Sequence, residues 1–138
     1  MKKVQLLTKG SNPGNAGPAG WSLLLRWSPV GHTPIEKILA GATEEGSANR
    51  MELIAAIRGL EALKEPCEVE LISESQYLAG IIGGNQARAH QNLVPRLREA
   101  VARHTVMVRK PGTVSERATL AHLQRDARAQ ADAIVVLL

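Results

Sequence analysis

The stretch NRMELIAAIRGLEALKE, residues 49–65, decides the fold, because its apolar residues recur at the three- and four-residue intervals of a helix that buries one face. Asn49 is a good helix-capping residue, and Glu52 three positions later completes a capping box. Pro66 cannot continue a helix and marks its end. The stretch therefore predicts one long helix, and the segments on its two sides follow different patterns.

Before this helix, apolar residues alternate with a period of two, which is typical of strands. Strands are predicted in KKVQLLT (residues 2–8) and WSLLLRW (residues 21–27), with a third from about His32 to Ala42. GSNPGNAGPAG (residues 10–20) joins the first two, and its Gly, Pro and Asn residues are typical of a turn. The three strands are predicted to form an antiparallel meander.

After the helix, strands and helices alternate. The predicted elements are a strand EVELIS (68–73), a helical stretch ESQYLAGII (74–82), a helix from about Leu93 to Arg103, a short strand TVMVR (105–109) and a last helix from about Glu116 to Ile134. Antiparallel strands followed by helix-connected strands indicate the α/β class. We expect a five-stranded mixed sheet with helices on both faces, formed by one domain over residues 1–138.

Charge is distributed unevenly along the chain, whose net charge is +4. Residues 36–74 hold nine Glu against four Lys or Arg, whereas residues 85–117 hold seven Lys or Arg against two Glu. This distribution suits a protein that holds a polyanion beside clustered carboxylates, and it is equally compatible with a solvated surface of uneven charge.

The chain has the features of a cytoplasmic protein without a membrane partner. Cys67 is the only cysteine, so no internal disulfide forms, which fits a reducing compartment. The basic start lacks the apolar run of a signal peptide, and the terminal AIVVLL (residues 133–138) is too short to cross a bilayer. No pattern in the sequence indicates an oligomeric state.

Three carboxylates are candidates for chemistry, and each also has a structural explanation. Glu52 lies in the first turn of the predicted helix, where a carboxylate stabilises the helix start. Glu74 follows the strand EVELIS, at the edge where α/β sheets place their sites, although a solvated Glu is common there as well. Asp126 lies on the last helix between two arginines, where surface ion pairing explains it equally well.

Four features that occur in a fixed order along the chain favour the catalytic interpretation of these carboxylates over the structural one. GSNPGNAGPAG follows the first strand, NRMELIAAIRGLEALKE opens the first helix, SESQY (residues 73–77) follows the fourth strand, and an Asp lies in the last helix. From about Lys3 to Ala131 this set resembles ribonuclease H of the type 1, bacterial kind. The resemblance implies a ribonuclease H-like fold and hydrolysis of the RNA strand of RNA/DNA hybrids. It also implies Mg²⁺ or Mn²⁺ as a cofactor, with two ions about 4 Å apart.

The resemblance assigns roles to individual residues of this chain. Glu52, Glu74 and Asp126 take the places of catalytic carboxylates and metal ligands, and Glu74 is one methylene longer than the Asp it replaces. Contacts to the nucleic acid are implied for a set of small and polar residues, in which the hydroxyl of Ser47 helps to hold a DNA phosphate. This set consists of Gly10, Ser11, Asn15, Ser47, Asn49 and Gln76.

Lys9 is the main departure from the family pattern, because it stands where the family has its first catalytic Asp. A protonated lysine cannot coordinate a metal ion. At about 4 Å it repels a divalent ion by several kcal/mol at an effective dielectric near 20. We expect Lys9 to pair with Glu74 or Glu52 in place of a metal, so that Mg²⁺ or Mn²⁺ binds weakly or not at all.

Two further departures concern the substrate side. The segment after residue 109 has no histidine at the family's flexible-loop position, and His122 falls where the family has an Asn. The segment after Tyr77 is short and lacks the basic protrusion of many bacterial members. Four arginines could supply part of that charge: Arg88, Arg96, Arg98 and Arg103.

Three functions remain open from the sequence. The first is a hybrid-directed endoribonuclease whose hydrolysis is impaired by Lys9. The second is a non-catalytic module that binds RNA/DNA hybrid or double-stranded RNA, with an affinity that falls steeply with salt. The third is a structural or dimerising domain without a nucleic-acid partner, which the retained polar residues disfavour.

Overall fold

The computed structural model describes the backbone of residues 1–137 and the side chains of residues 1–134. The elements along the chain are β1 (Lys2–Ser11), β2 (Ala19–Trp27), β3 (Ile35–Thr43), α1 (Ala48–Ala62), β4 (Cys67–Ile72), α2 (Gln76–Ile82), α3 (Val94–Ala102), β5 (Thr105–Arg109) and α4 (Val114–Leu137). Their order along the described residues confirms the predicted α/β class.

The sheet is mixed, as the sequence predicts. Its strand order is β3-β2-β1-β4-β5. β1 pairs with β2, and β2 with β3, in antiparallel orientation. β1 pairs with β4, and β4 with β5, in parallel orientation. Because β1 and β4 are parallel neighbours, their carboxyl ends lie side by side at one end of the sheet.

Helices cover both faces of the sheet, because successive residues of a strand point to opposite sides. Leu6 of β1 belongs to a large apolar cluster with residues of α1 and α3. Leu7, its neighbour, belongs to a second cluster with Leu120 and Leu123 of α4. The alternation in β1 therefore separates two cores, with α1 and α3 on one side and α4 on the other.

Two glycines allow helices to approach the sheet closely. A Cβ at Gly10 would lie 2.6 Å from the carbonyl oxygen of Ala48, so the start of α1 packs directly against the end of β1. A Cβ at Gly20 would lie 1.8 Å from the carbonyl oxygen of Ala127, so α4 packs directly against β2. These contacts bring the beginning of α1 and the middle of α4 to the carboxyl end of β1.

The predicted capping box of α1 is wrong. The capping residue is Ser47 rather than Asn49, and its hydroxyl accepts a hydrogen bond from the Arg50 N–H (3.1 Å). The carboxylate of Glu52 is not available for a capping box because it turns towards β1. The helix also ends at Ala62, earlier than the proline that was expected to stop it.

Other boundaries also differ from the prediction, and the starts of β3 and α4 have clear local causes. β3 begins at Ile35, because a turn closed by a hydrogen bond from the His32 N–H to the Pro29 carbonyl (3.2 Å) precedes it. α4 begins two residues early, since the hydroxyl of Thr113 accepts the Glu116 N–H (3.0 Å). How the end of AIVVLL packs lies outside the described side chains. Within residues 1–137, no helix is long and apolar enough to cross a membrane.

Candidate functional site

Glu52 is a buried carboxylate that is held at the carboxyl ends of β1 and β4. Its side chain is almost fully enclosed, with 5% of the residue exposed. The Gly10 N–H donates to Oε1 (2.9 Å), and the Thr8 hydroxyl donates to Oε2 (3.1 Å). The Ser73 hydroxyl lies 3.4 Å from the same Oε2. The local sequence of both strand ends therefore fixes the position of this carboxylate.

Burial raises the pKa of Glu52 to about 7. The hydrogen bonds from Gly10 and Thr8 and the positive charge of Lys9 act in the opposite direction and stabilise the carboxylate. Because desolvation outweighs these contacts, Glu52 takes up a proton near neutral pH, far above the ordinary range of a glutamate.

Lys9 and Glu74 form an ion pair at the same end of the sheet, where β1 and β4 terminate. Nζ of Lys9 lies 3.1 Å from Oε1 of Glu74. The lysine side chain is 21% exposed and the glutamate side chain 52% exposed, so the pair is open to water on its outer side. The pairing expected for Lys9 is present, with Glu74 as the partner that is in direct contact.

These groups line a cavity of about 360 Å³, here called the β1–β4 pocket. It lies where the carboxyl ends of β1 and β4 meet the first turns of α1 and α2, and α4 closes one side. Its lining includes five of the residues assigned to the site by the family pattern, together with Lys9 and one residue that the sequence analysis missed. The seven are Lys9, Gly10, Asn49, Glu52, Glu74, Gln76 and Gln124.

Asp126 does not line the β1–β4 pocket. Its Oδ2 lies 3.7 Å from Nε2 of His122, one helical turn earlier, and both side chains are substantially exposed. The expected convergence of three carboxylates therefore differs from the structure, in which two of them reach the pocket. The physical reason is helical phase, because Asp126 lies on the flank of α4 and not on the stripe that faces the sheet.

Gln124 takes the place on α4 that faces the pocket. The sheet-facing stripe of α4 contains the buried residues Leu120, Leu123 and Ala127. Gln124 is four residues after Leu120 and three before Ala127, so it belongs to that stripe. Its Nε2 donates a hydrogen bond to Oγ of Ser11 in β1 (3.1 Å). The spacing of the apolar residues in α4 was the signal that could have identified it.

The donor set at the pocket does not fit a pair of Mg²⁺ ions. Both carboxylate oxygens of Glu52 already accept hydrogen bonds, and Oε1 of Glu74 faces the ammonium of Lys9. The side chain that α4 contributes to the pocket is the neutral amide of Gln124. Among the residues that the structure describes, no group of three or more His, Cys, Asp or Glu side chains could hold a metal ion.

The remaining residues expected to contact nucleic acid are Ser11, Asn15 and Ser47, which do not line this pocket. Ser11 is buried and accepts the hydrogen bond from Gln124. Asn15 is in the turn after β1 and has a positive φ of 59°. Ser47, the cap of α1, lines a neighbouring open cavity of about 570 Å³ together with Arg50. Ser11 is thus enclosed by the protein, whereas Ser47 borders an open cavity.

The arginines expected to replace a basic protrusion are partly engaged by the protein itself. Nε of Arg96 donates to Glu61 of α1 (2.8 Å). Arg98 donates to the carbonyl of Asn85 (2.9 Å), and Arg103 to the carbonyl of Leu63 (3.1 Å). These contacts hold the three guanidinium groups close to the body of the protein, so they do not form a projecting arm.

Comparison with known families and sequences gives one consistent result. The RNase H family model matches residues 1–134. A ribonuclease H from Legionella pneumophila (strain Corby) is 54% identical over 76 residues, which are 55% of this chain and 50% of that protein. A ribonuclease H from Brucella ovis is 50% identical over 84 residues, 61% of this chain and 51% of that protein. The matched regions span about half the length of these curated relatives.

Solved structures with the same fold are more distant in sequence. The N-terminal RNase H domain of rv2228c from Mycobacterium tuberculosis superimposes with a TM-score of 0.75 at 20% identity, covering 96% of each chain. LC11-RNase H1 in complex with an RNA/DNA hybrid superimposes with a TM-score of 0.76 at 17% identity, covering 96% of this chain and 99% of that one. At these identities the likeness concerns the fold.

Proposed function

The chain belongs to the ribonuclease H family, and from that premise we propose that it binds RNA/DNA hybrids but hydrolyses their RNA strand poorly or not at all. The observation that carries the proposal is the ion pair between Lys9 and Glu74, at 3.1 Å. The ammonium occupies the edge of the sheet where a cation would otherwise compensate the clustered carboxylates.

Charge explains why this arrangement disfavours metal. With Glu52 ionised, Lys9, Glu52 and Glu74 sum to a formal charge of −1, and the amide of Gln124 adds none. A divalent ion about 4 Å from an ammonium is repelled by roughly 8 kcal/mol at an effective dielectric of 20, because each unit charge contributes about 4 kcal/mol. Protonation of Glu52 near neutral pH removes a further negative charge. The site therefore satisfies its own charges without a bound cation.

Binding of a hybrid is supported by the groups that surround the pocket. Asn49 and Gln76 line it with amides, which can donate to and accept from the 2′-hydroxyls and base edges of a minor groove. Ser47 and Arg50 line the adjoining cavity, where a hydroxyl and a guanidinium can contact a phosphate. None of these contacts requires a metal ion, so loss of hydrolysis and retention of binding are compatible.

Two measurements on the unmodified protein test this proposal. A labelled RNA/DNA hybrid is incubated with the protein in Mg²⁺ and separately in Mn²⁺, and cleavage is followed on a gel. Binding of the same hybrid is measured by fluorescence anisotropy in EDTA. We expect binding without metal and little or no cleavage with either ion. Rapid cleavage that disappears in Glu52→Gln would contradict the impaired site, and absence of binding at low salt would contradict the binding role.

A further inference from the structure

A third cavity, of about 400 Å³, lies between β3, the middle of α1 and the start of α3, and we call it the α1 groove. Two buried side chains, Trp21 and Ile57, line it on the side of the core. Arg58 and Arg96 also line it and are exposed, whereas no acidic residue in the described part of the chain belongs to the lining. Its volume falls within the range typical of binding pockets. The groove therefore suits an anionic ligand.

Arg58 is held over an aromatic ring at the border of the α1 groove. Its Cζ lies 5.1 Å from the ring centroid of Trp21, within the range of a cation–π contact. Trp21 is itself packed tightly against β3, since a Cβ at Gly41 would lie 2.7 Å from its Cζ2. No ion pair among the described residues includes Arg58. Its guanidinium is thus positioned in advance, which lowers the entropic cost of binding a phosphate.

Glu61 compensates the charge of Arg96 and leaves Arg58 as the net charge of the α1 groove. Nε of Arg96 donates to Oε2 of Glu61 (2.8 Å), and this contact lowers the pKa of Glu61. The positive charge of Arg58 lowers that pKa as well, by a smaller amount. The three groups sum to a formal charge of +1. A polyanion is therefore attracted to this groove, chiefly by Arg58.

The α1 groove adjoins the open cavity of about 570 Å³ at the start of α1. The hydroxyl of Thr43, which lines the groove, donates to the carbonyl of Glu45, which lines the open cavity (2.8 Å). The N–H of Leu93, on the groove, donates to the carbonyl of His90, on the open cavity (2.9 Å). In the open cavity the charge of Arg50 balances that of Glu45, so the groove adds the net positive charge along this path.

A short piece of nucleic acid spans the distance between the two cavities. Arg50 and Arg58 are eight residues apart on α1, or about 12 Å at a rise of about 1.5 Å per residue. Successive phosphates of one strand are about 3.4 Å apart along a duplex axis, so roughly three or four nucleotides cover this distance. A duplex is stiff over such lengths, with a persistence length of about 150 base pairs. An unpaired strand can instead follow the surface from the end of the sheet along α1.

We propose that the α1 groove holds an unpaired extension of the DNA strand where that strand leaves the hybrid. A phosphate of the extension contacts Arg58, and a base contacts the apolar lining beside Ile54. This inference rests on the proposed function, because the hybrid bound beside Ser47 and Arg50 brings the strand to the groove. The protein then prefers junctions between hybrid and single-stranded DNA over hybrids with blunt ends.

Three fluorescein-labelled probes test the groove by anisotropy in EDTA at several salt concentrations. One is a blunt twelve-base-pair RNA/DNA hybrid, and the other two carry four extra thymidines at the 3′ or the 5′ end of the DNA strand. We expect one of the two extensions, and not both, to tighten binding about fivefold, because the groove lies on one side of the hybrid site. The side that gains affinity gives the polarity of the bound strand.

Arg58→Ala should abolish this gain and leave binding of the blunt hybrid unchanged. For the extended hybrid, the slope of log affinity against log salt should fall by about 0.7, as expected when one phosphate contact of a single strand is lost. Arg58→Lys should keep the slope, since it keeps the charge. The charge-matched control is Arg128→Ala, 66% exposed on α4, which covers the opposite face of the sheet and should bind all three probes normally.

Glu61→Gln tests the groove by a gain of affinity, which a merely structural role of these residues would not produce. Removing this carboxylate frees the charge of Arg96, so the extended hybrid should bind about twofold tighter or better while the blunt hybrid binds as before. The groove is refuted if neither extension adds affinity, if Arg58→Ala weakens blunt and extended hybrids equally, or if Arg58→Ala and Arg128→Ala have the same effect. By contrast, absence of binding to the blunt hybrid at low salt contradicts the proposed function itself.

Discussion

Nε2 of Gln124 donates a 3.1 Å hydrogen bond to Oγ of Ser11, and this contact makes an amide the part of α4 that faces the end of β1. The β1–β4 pocket is thus lined by Lys9 from the strand and by Gln124 from the last helix, and neither side chain is a carboxylate. Asp126 is not part of this lining, and its Oδ2 lies 3.7 Å from Nε2 of His122 on the flank of α4.

Metal-dependent cleavage should therefore be recovered by changing both positions together. We expect Lys9→Asp/Gln124→Asp to cleave a labelled RNA/DNA hybrid in Mn²⁺ at least about 100-fold faster than the unmodified protein, which corresponds to about 2.7 kcal/mol of activation free energy. Lys9→Asp alone should gain less, because the donor set still lacks a carboxylate from α4.

Asp126→Asn in the double-variant background provides the control for this prediction. Removing this carboxylate should leave the recovered cleavage rate unchanged. If cleavage is instead lost in that triple variant, or if Lys9→Asp alone recovers the full rate, then Asp126 supplies the ligand and the orientation of α4 inferred from the structure is incorrect.

The free energy of unfolding should depend on pH through Glu52. Its pKa is about 7 in the folded protein against an ordinary value of 4.5, so the folded state binds more protons than the unfolded state between these values. Stability from this group is fully present below pH 4.5 and is lost as pH rises through 7, by about 3 kcal/mol in total. Urea unfolding from pH 4.5 to 8 measures this slope.

Glu52→Gln isolates the contribution of Glu52 to the pH dependence of the unfolding free energy, because a glutamine keeps an acceptor for the Gly10 N–H and cannot ionise. As pH rises, we expect the unfolding free energy of the unmodified protein to fall relative to that of Glu52→Gln. A difference that stays constant from pH 4.5 to 8 would show that burial does not raise the pKa of Glu52.

The sequence predicted those features of the fold that depend on local pattern. The period-two alternation of residues 2–8 and 21–27 was sufficient for two strands, because each has one face against each core. The capping residue of α1 was not predictable in the same way. The Glu52 carboxylate accepts a hydrogen bond from the N–H of Gly10, which is 42 residues away in the chain, and only the packed structure reveals that contact.

The candidate site was predictable to a similar extent. Glu52 and Glu74 line the β1–β4 pocket, and the sequence pointed to them because the family motifs are continuous around both residues. The last helix has no comparable motif, so the choice between Asp126 and Gln124 depended on helical phase. The stripe of Leu120, Leu123 and Ala127 fixes that phase, and it favours Gln124.

Glu116 should stabilise the loop between β5 and α4. Arg109 donates to both of its carboxylate oxygens (2.9 and 2.7 Å), and the Gly112 N–H donates to one of them (2.8 Å). The Arg109 guanidinium lowers the pKa of Glu116 to about 2. The stability that this group contributes is therefore present above pH 4.5 and is lost as pH falls towards 2.

Glu116→Gln should lower the unfolding free energy at pH 7 by about 1–2 kcal/mol, as expected for hydrogen bonds to a charged partner. Glu99→Gln, on the exposed face of α3, is the matched control and should change it by less than about 0.5 kcal/mol. Equal effects in the two variants would mean that the Arg109 contacts contribute no net stability. Urea unfolding at pH 7 and pH 3 makes the comparison.

Hybrid binding should depend on the amides of the β1–β4 pocket as well as on charge. In Asn49→Ala/Gln76→Ala we expect the dissociation constant for an RNA/DNA hybrid to rise about tenfold, because the variant loses the two pocket amides that we propose to contact the minor groove. Binding to duplex DNA of the same sequence should change less, so the preference for hybrid falls. The slope of affinity against salt should stay the same, since no phosphate contact is removed.

Gln130→Ala, an exposed amide on α4, serves as the control. A variant that weakens hybrid and duplex DNA equally would contradict recognition of the 2′-hydroxyls by this pocket.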